Sequence, residues 1–425
     1  MMNRREFVQG MGKTALGASL LASCPWFGAF AQEVETVGEK ARLGIIGPGS
    51  RGQYLMRFLA ANPKANIVAL CDNYAPSMKG ALGIAPNARQ YTDYRQLLED
   101  KNVDAVVIAT PPYLHARMLL DAFAAGKHAF VEKAFSIDQE ETYSMYQAYK
   151  NCDRVMFVGH QRMFDPRYIN AMDRIHAGEF GAVQCIRTYW DRNTDWKRPV
   201  PSPDLERKIN WRLYKEYSRG LMTELASHQI QVGNWALQAI PNKITGFGAI
   251  ADRKDGREVY DNVHVVFGYD NGANMSFGCT NSNRFYGLEE QILCSHGTLE
   301  MEKQKYYPES VPPAPAMLRM INKMENDLFE AVPFASGSWA PETAKANKGE
   351  YILGKKSHGD GTQMLLEAFV EAVITGKRVP KLIEEGYYSS MLCLLGHQAM
   401  EEQRVIDFPD KYKIDYLNHK APTLA

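Results

Sequence analysis

From Ala41 to Gly52 the chain reads ARLGIIGPGSRG, an apolar run breaking into a glycine-rich turn, and the helix-like QYLMRFLAAN follows at once. This junction constrains the fold more than any other stretch, because apolar run, glycine turn and helical run in direct succession make a strand–turn–helix unit. The alternation then repeats. NIVALCD, VDAVVIATPP, HAFVEK and RVMFVGHQ are short apolar runs, separated by YTDYRQLLED, HARMLLDAFAAGK and DQEETYSMYQAYKNC. Short β-branched runs alternating with helices call for a parallel sheet covered on both faces. The expectation is a doubly wound α/β domain over residues 41–160.

After Gln161 the texture changes. YINAMDRIHAGEFG reads as a helix closed by glycine, and AVQCIRTYWDRN and KITGFGAIAD as strands. In DNVHVVFGYDNGANMSFGCTNS, Asp270-Asn271-Gly272 lies between two alternating runs and signals a hairpin. EEQILCSHGTLEMEKQ reads as a second, turning at Ser295-His296-Gly297. Hairpins imply antiparallel pairing, so residues 161–410 are expected to form an α+β domain with a large, open, mostly antiparallel sheet. PESVPPAPAM reads as a surface loop and residues 411–425 as a C-terminal tail. One bare sheet face would favour a homo-oligomer, dimer or tetramer.

The 425 residues suffice for two such domains. Lysine plus arginine and aspartate plus glutamate are 49 each, so the net charge gives no reason to seek nucleic acid or anionic lipid. No run beyond the first thirty residues approaches the length of an apolar membrane span. The 7 cysteines are scattered without C-x-x-C spacing, against a disulfide scaffold or zinc ribbon. The first residues differ in character. Arg4-Arg5 precede Glu6-Phe7-Val8, MGKTALGASLLAS is a short apolar stretch, and Ala29-x-Ala31 precedes Gln32. This order matches a twin-arginine signal peptide over residues 1–31 and predicts a periplasmic protein. Cys24 in LASC offers a competing lipoprotein reading, which the following Pro25 disfavours.

Gly47-Pro48-Gly49-Ser50-Arg51-Gly52 is a G-x-G-x-x-G in strand–turn–helix context, which makes it a dinucleotide loop. Its glycines let the backbone approach a pyrophosphate seated on the helix N-terminus. Asp72 ends the next strand, 20 positions after Gly52, where a carboxylate accepts from ribose hydroxyls and repels a 2′-phosphate. NAD is therefore expected rather than NADP, although Arg51 could reach a phosphate. Three further segments fall past the ends of strands, where such a sheet binds ligands: ATPPYLH with Pro112 and His115, FVEKAF with Glu132 and Lys133, and GHQRMFDP with Gln161 and Arg162. These residues are expected to line the cofactor. In NWRLYKEYSRGLMTELASHQIQVGNWAL, Glu224 and His228 are spaced to share one helix face. No third ligand at a fitting spacing accompanies them, so no metal is expected. Tyr189, Trp190, Arg192, Trp196, Arg198 and Trp211 crowd one region and suit a sugar ring, though each is as well explained by packing.

With these segments quoted, the chain from Arg42 to about residue 405 resembles the glucose–fructose oxidoreductase, inositol dehydrogenase and MocA family (Gfo/Idh/MocA). The resemblance implies that Lys133 is the active-site lysine, Glu132 lies beside the nicotinamide and His228 is the catalytic histidine. It also implies departures. Ala134 stands where the family has proline, and Glu224 where it has aspartate, so Glu224 is expected to orient His228, bind substrate or do neither. The chemistry agrees with this reading: oxidising a secondary alcohol needs a hydride acceptor and a base, and a lysine serves as base if its pKa falls from about 10.4 toward neutrality, whereas a histidine titrates near neutral pH already.

The export pattern bears on mechanism. Twin-arginine substrates cross the membrane folded, so a nucleotide would travel inside the protein and be regenerated in place. An NAD-dependent oxidoreductase acting on a sugar or glycoside secondary alcohol, with the 3-hydroxyl as candidate position, meets that demand. So does a redox-neutral glycoside hydrolase like that of glycoside hydrolase family 109. A non-enzymatic sugar- or NAD-sensing protein is the third reading, and the pairing of Lys133 with His228 counts against it.

Overall fold

A computed structural model describes residues 39–309, 349–352 and 360–416, with Met320 and Lys323 besides. The expected signal peptide, Cys24, most of the proline-rich loop and the last residues of the tail lie outside the described residues.

The first half is a six-stranded sheet of order β3-β2-β1-β4-β5-β6, every neighbouring pair parallel. Its strands are β1 Ala41–Ile46, β2 Ala65–Cys71, β3 Arg89–Tyr91, β4 Ala105–Ile108, β5 His128–Val131 and β6 Met156–Val158. Helices α1 Ser50–Ala61, α2 Ala75–Leu82, α3 Tyr94–Glu99, α4 His115–Ala124 and α5 Gln139–Asn151 connect them. β1, β4, β5 and β6 are almost wholly buried, which is why they read as unbroken apolar runs. The strand order reverses between β1 and β4, and the cleft beyond their C-terminal ends is where such sheets bind ligands.

α6 Pro166–His176 leads into a nine-stranded sheet, mostly antiparallel, in which β7 Val183–Trp190 and β10 Asn274–Thr280 pair parallel. β8 Lys243–Ala249, β9 Asn262–Gly268, β11 Leu288–Cys294, β12 Gly297–Glu300, β13 Lys305–Pro308, β14 Glu350–Tyr351 and β15 Ile406–Asp407 complete it. β9 and β10 are the expected hairpin, turning through Gly272 at φ 88°. α7 Ser227–Leu237 is buried along its whole length against one face of this sheet. The other face alternates outward, and Phe247 on β8 is 80% exposed.

The chain does not finish in the second layer. α8 Thr362–Thr375 packs back on α1 and β1, and α9 Leu382–Glu402 spans from α5 and β6 to α7 and β8. Residues 411–416 dock on α9: the Tyr387 hydroxyl donates to the Tyr412 carbonyl at 2.7 Å, and Tyr412, Ile414 and Tyr416 are buried. Among the described residues the six cysteines are unpaired, and no helix is long and apolar enough to cross a membrane.

Glu385 of α9 is buried beneath this docked segment, accepts from the Tyr416 hydroxyl, and has no partner at Oε2. Burial pushes its carboxyl up to about 8, against the pull of the Tyr416 hydroxyl. A folded pKa above the unfolded one stabilises the fold fully below about pH 4.3, and that stabilisation fades as pH rises through the folded value. Urea unfolding should therefore show Glu385→Gln losing less stability than the wild type between about pH 5 and pH 9, by on the order of 3 kcal/mol. Equal losses in the two proteins would refute the assignment.

Candidate functional site

The glycine loop joins β1 to α1 at the point of reversal, and each glycine there has its own reason. Gly47 has φ +80°, and a Cβ on it would meet Thr110 Cγ2 at 2.7 Å. A Cβ on Gly52 would meet the Gly47 carbonyl oxygen at 2.6 Å. Around Gly49 a Cβ would meet nothing within 4 Å, so that face of the loop is open. Ser50 begins α1 and is exposed, and no side chain caps the free N–H groups of this first turn. An open, glycine-lined helix N-terminus is a cradle for a pyrophosphate, so these residues fit a dinucleotide. Asp72, half-buried past the end of β2, accepts from the Tyr74 N–H at 2.8 Å. Burial raises its pKa, with the Tyr74 N–H acting against that rise.

Arg51 does not turn outward to a phosphate. Its Nε donates to Glu132 Oε1 at 2.6 Å, and the Glu132 carboxylate lies over Gly159, where a Cβ would meet Oε2 at 2.6 Å. Pro112 is buried in a short 3₁₀ turn after β4. His115, placed among the cofactor contacts by its position, is 0% exposed behind that turn, with its ring nitrogens against the Ala134 and Thr110 carbonyls at 2.8 Å each. It holds the segments after β4 and β5 together from within.

Lys133 follows β5, and the Lys133–Ala134 peptide is cis. Its Nζ donates to the main-chain carbonyl of Glu224 at 2.5 Å. That carbonyl belongs to a π-helical turn, Met222–Ala226, which runs directly into α7. Glu224 Oε2 accepts from Arg212 Nε at 2.8 Å and Oε1 from the Ser218 hydroxyl at 3.3 Å, so Glu224 is not the group that orients His228.

His228 is 6% exposed, edge-on to His160 at 5.9 Å between ring centroids and tilted against Trp190 at 5.8 Å. Its Nδ1 has no hydrogen-bond partner. Burial holds its pKa well below the usual 6.5, and the Lys133, Arg162, His160 and Arg51 charges press it further down. His228 is thus held toward its neutral form. Burial also lowers Lys133, opposed by Glu224 and Glu132 and helped by Arg212 and Arg51. His160 is pushed down to about 3 by burial and by Lys133, and its Nε2 meets the Ser389 hydroxyl at 3.0 Å.

Gln161 is half-buried with Oε1 unpartnered. Arg162, expected at the cofactor, is buried against the second sheet, 3.2 Å from Glu290 Oε1 and 3.3 Å from Glu302 Oε1, its guanidinium 5.8 Å from the Trp190 ring centre. Sequence reasoning did not single out His160, Arg212 or Ser218. The first had a signal in GHQRMFDP, whereas the partners of the other two depend on the π turn. Trp190 is drawn out of the aromatic group to the His228 ring, while Tyr189 packs on Tyr286 instead. Among the described residues no group of three or more His, Cys, Asp or Glu is arranged to hold a metal ion.

Because Gly49 faces open space, Gly49→Val should keep the wild-type melting temperature and weaken dinucleotide binding at least tenfold in a fluorescence titration. Gly52→Val should instead lower the melting temperature, since its Cβ meets backbone. Unchanged binding in Gly49→Val would show that the cradle lies elsewhere.

Residues 41–160 match the model for the oxidoreductase family with an NAD-binding Rossmann fold, and residues 168–300 that for the GFO/IDH/MocA C-terminal domain. The scyllo-inositol 2-dehydrogenase (NAD(+)) of Bacillus subtilis is 29% identical over 268 residues, covering 61% of this chain and 73% of the relative. The inositol 2-dehydrogenase of Rhizobium meliloti is 25% identical over 269 residues, or 62% of this chain and 76% of the relative. In fold, the chain is similar to levoglucosan dehydrogenase in complex with NADH and levoglucosan, with TM-score 0.67, 19% identity and coverage of 87% of this chain and 100% of that one. Glycine cradle, two-sheet architecture and both matched domains agree: the chain belongs to the Gfo/Idh/MocA family of NAD-dependent oxidoreductases.

Proposed function

We propose that this protein oxidises a secondary alcohol of a sugar, glycoside or cyclic polyol, with the 3-hydroxyl of a sugar as candidate position, and keeps its NAD between turnovers. The observation that carries the reading is unfilled hydrogen-bonding capacity in a buried site: His228 Nδ1 has no partner, and Lys133 Nζ spends one of its three donors on the Glu224 carbonyl. Inositol and levoglucosan dehydrogenases among its relatives and structural neighbours support the substrate class.

NAD held in the glycine cradle would supply the acceptor for the carbinol hydride. The chain's own groups handle the rest. Lys133, its ammonium destabilised by burial, takes the hydroxyl proton as a neutral amine while the C–O bond becomes a carbonyl. His228 stays neutral and hydrogen-bonds the same oxygen, fixing the ring. Trp190, packed on His228, offers an apolar surface to C–H bonds. The Arg4-Arg5 leader supports a periplasmic location, reached by the folded protein with its cofactor inside. The outward sheet face with Phe247 supports a dimer or tetramer.

Incubating the protein with a panel of sugars, glycosides and inositols and an artificial electron acceptor should yield a keto product by mass spectrometry. Its kcat/KM should rise with pH through one ionisation below the free lysine value of about 10.4. Lys133→Met should lose about 10²–10⁴-fold in rate, the usual worth of a positioned base. Free sugar released from a glycoside without keto product would point to redox-neutral cleavage, and a Lys133→Met protein as active as wild type would overturn the assignment of the base.

A further inference from the structure

Between β7 and the π turn the chain runs through residues 191–219 with only short 3₁₀ turns, Pro203–Leu205 and Trp211–Leu213, and one α turn, Glu206–Ile209. So long a connection is uncommon in a compact domain unless it has a task. This one is built to hold its shape. Asn210 is 1% exposed, accepts from the Arg198 N–H at 2.7 Å, and donates through Nδ2 to the Arg198 carbonyl at 2.9 Å and to Glu206 at 3.1 Å. The Tyr214 hydroxyl donates to the same Glu206 at 3.0 Å, and the Arg207 guanidinium lies 4.3 Å from the Tyr214 ring centre. Glu258 ties the segment to the second domain, donating its N–H to the Leu213 carbonyl at 2.8 Å and accepting from the Lys215 N–H at 2.9 Å.

Its reach is what matters. At one end Lys208 Nζ donates to the Asn73 carbonyl at 3.2 Å and lies 5.6 Å from the Tyr74 ring centre, directly beyond Asp72 and the end of β2. In the middle Tyr217 packs on Tyr113, past the end of β4, with ring centres 4.8 Å apart. At the other end Arg212 holds Glu224, whose carbonyl takes Lys133 past the end of β5. The strands run β2-β1-β4 across the sheet, so the segment's own contacts, Lys208 past β2 and Tyr217 past β4, fall on either side of β1 and the glycine loop that follows it. It brackets the dinucleotide cradle from both sides.

We propose that residues 191–219 are a strap that keeps the dinucleotide in the protein between turnovers, with Lys208 and Tyr217 as its latches on the nucleotide-binding domain. This rests on the reading above, that NAD is retained. Neither residue belongs to the glycine loop or to the group around Lys133, so the role is one of retention. Rigid bracing suits it, because a strap already ordered loses little entropy on closing over its ligand. Release then requires breaking the Lys208 and Tyr217 contacts, which act on the dissociation rate.

The test loads the full-length mature protein with NADH, adds a large excess of NAD⁺, and follows the loss of bound-NADH fluorescence. Wild type should release NADH over many minutes, Lys208→Ala and Tyr217→Ala at least tenfold faster, and Lys208→Arg close to wild type, all with unchanged melting temperature. If wild type holds NADH and both alanine variants hold it as long, the strap is refuted while retention stands. If wild type empties within the mixing time, retention itself is refuted and the strap with it.

Discussion

The Lys133 ammonium is bound to a carbonyl dipole, not to a carboxylate, and the chemistry of the site depends on that difference. Two carboxylates lie near enough to influence it, Glu132 and Glu224. Had either paired with Lys133, the buried ammonium would be fixed in its charged form. Each carboxylate is instead engaged by an arginine, Glu132 by Arg51 at 2.6 Å and Glu224 by Arg212 at 2.8 Å. Lys133 is left with the Glu224 carbonyl, in a π turn of a kind often found at functional sites. The arginines thus act twice: they satisfy acids that would hold the proton on Lys133, and their own charge disfavours a second cation nearby.

The same contacts join the two halves of the molecule. Lys133 comes from the end of a parallel strand and Glu224 from the entry to the buried helix of the second domain. Arg51 ties the glycine loop to the residue beside the lysine, so the cradle and the position of Lys133 share one side chain. α8 and α9 return to the first domain after the second sheet is built, and the last described residues dock on α9.

Local features were legible in the sequence. The glycine loop, Asp72 and the β9–β10 hairpin depend on a few consecutive residues and their backbone angles, and such signals survive in one dimension. Lys133 and His228 were reached through resemblance. What escaped depends on partners far along the chain. Arg51 read as a residue free for a phosphate because its partner lies 81 positions away, and Arg162 as a cofactor contact because Glu290 and Glu302 come from the second sheet. Glu224, for which the sequence left three roles open, spends its carboxylate on Arg212 and Ser218 rather than on His228. Histidine near neutral pH was a sound expectation for an exposed ring, overturned by the burial of His228 among cations.

The most direct measurement is the ionisation of Lys133 itself, followed by NMR of protein carrying labelled lysine, with Lys133→Arg to assign the signal. If the carbonyl-bound ammonium is as destabilised as its surroundings require, it will titrate well below about 10.4. Deprotonation at or above that value would mean that a carboxylate does hold the proton, and that the arginine-guarded site described above is not how this protein works.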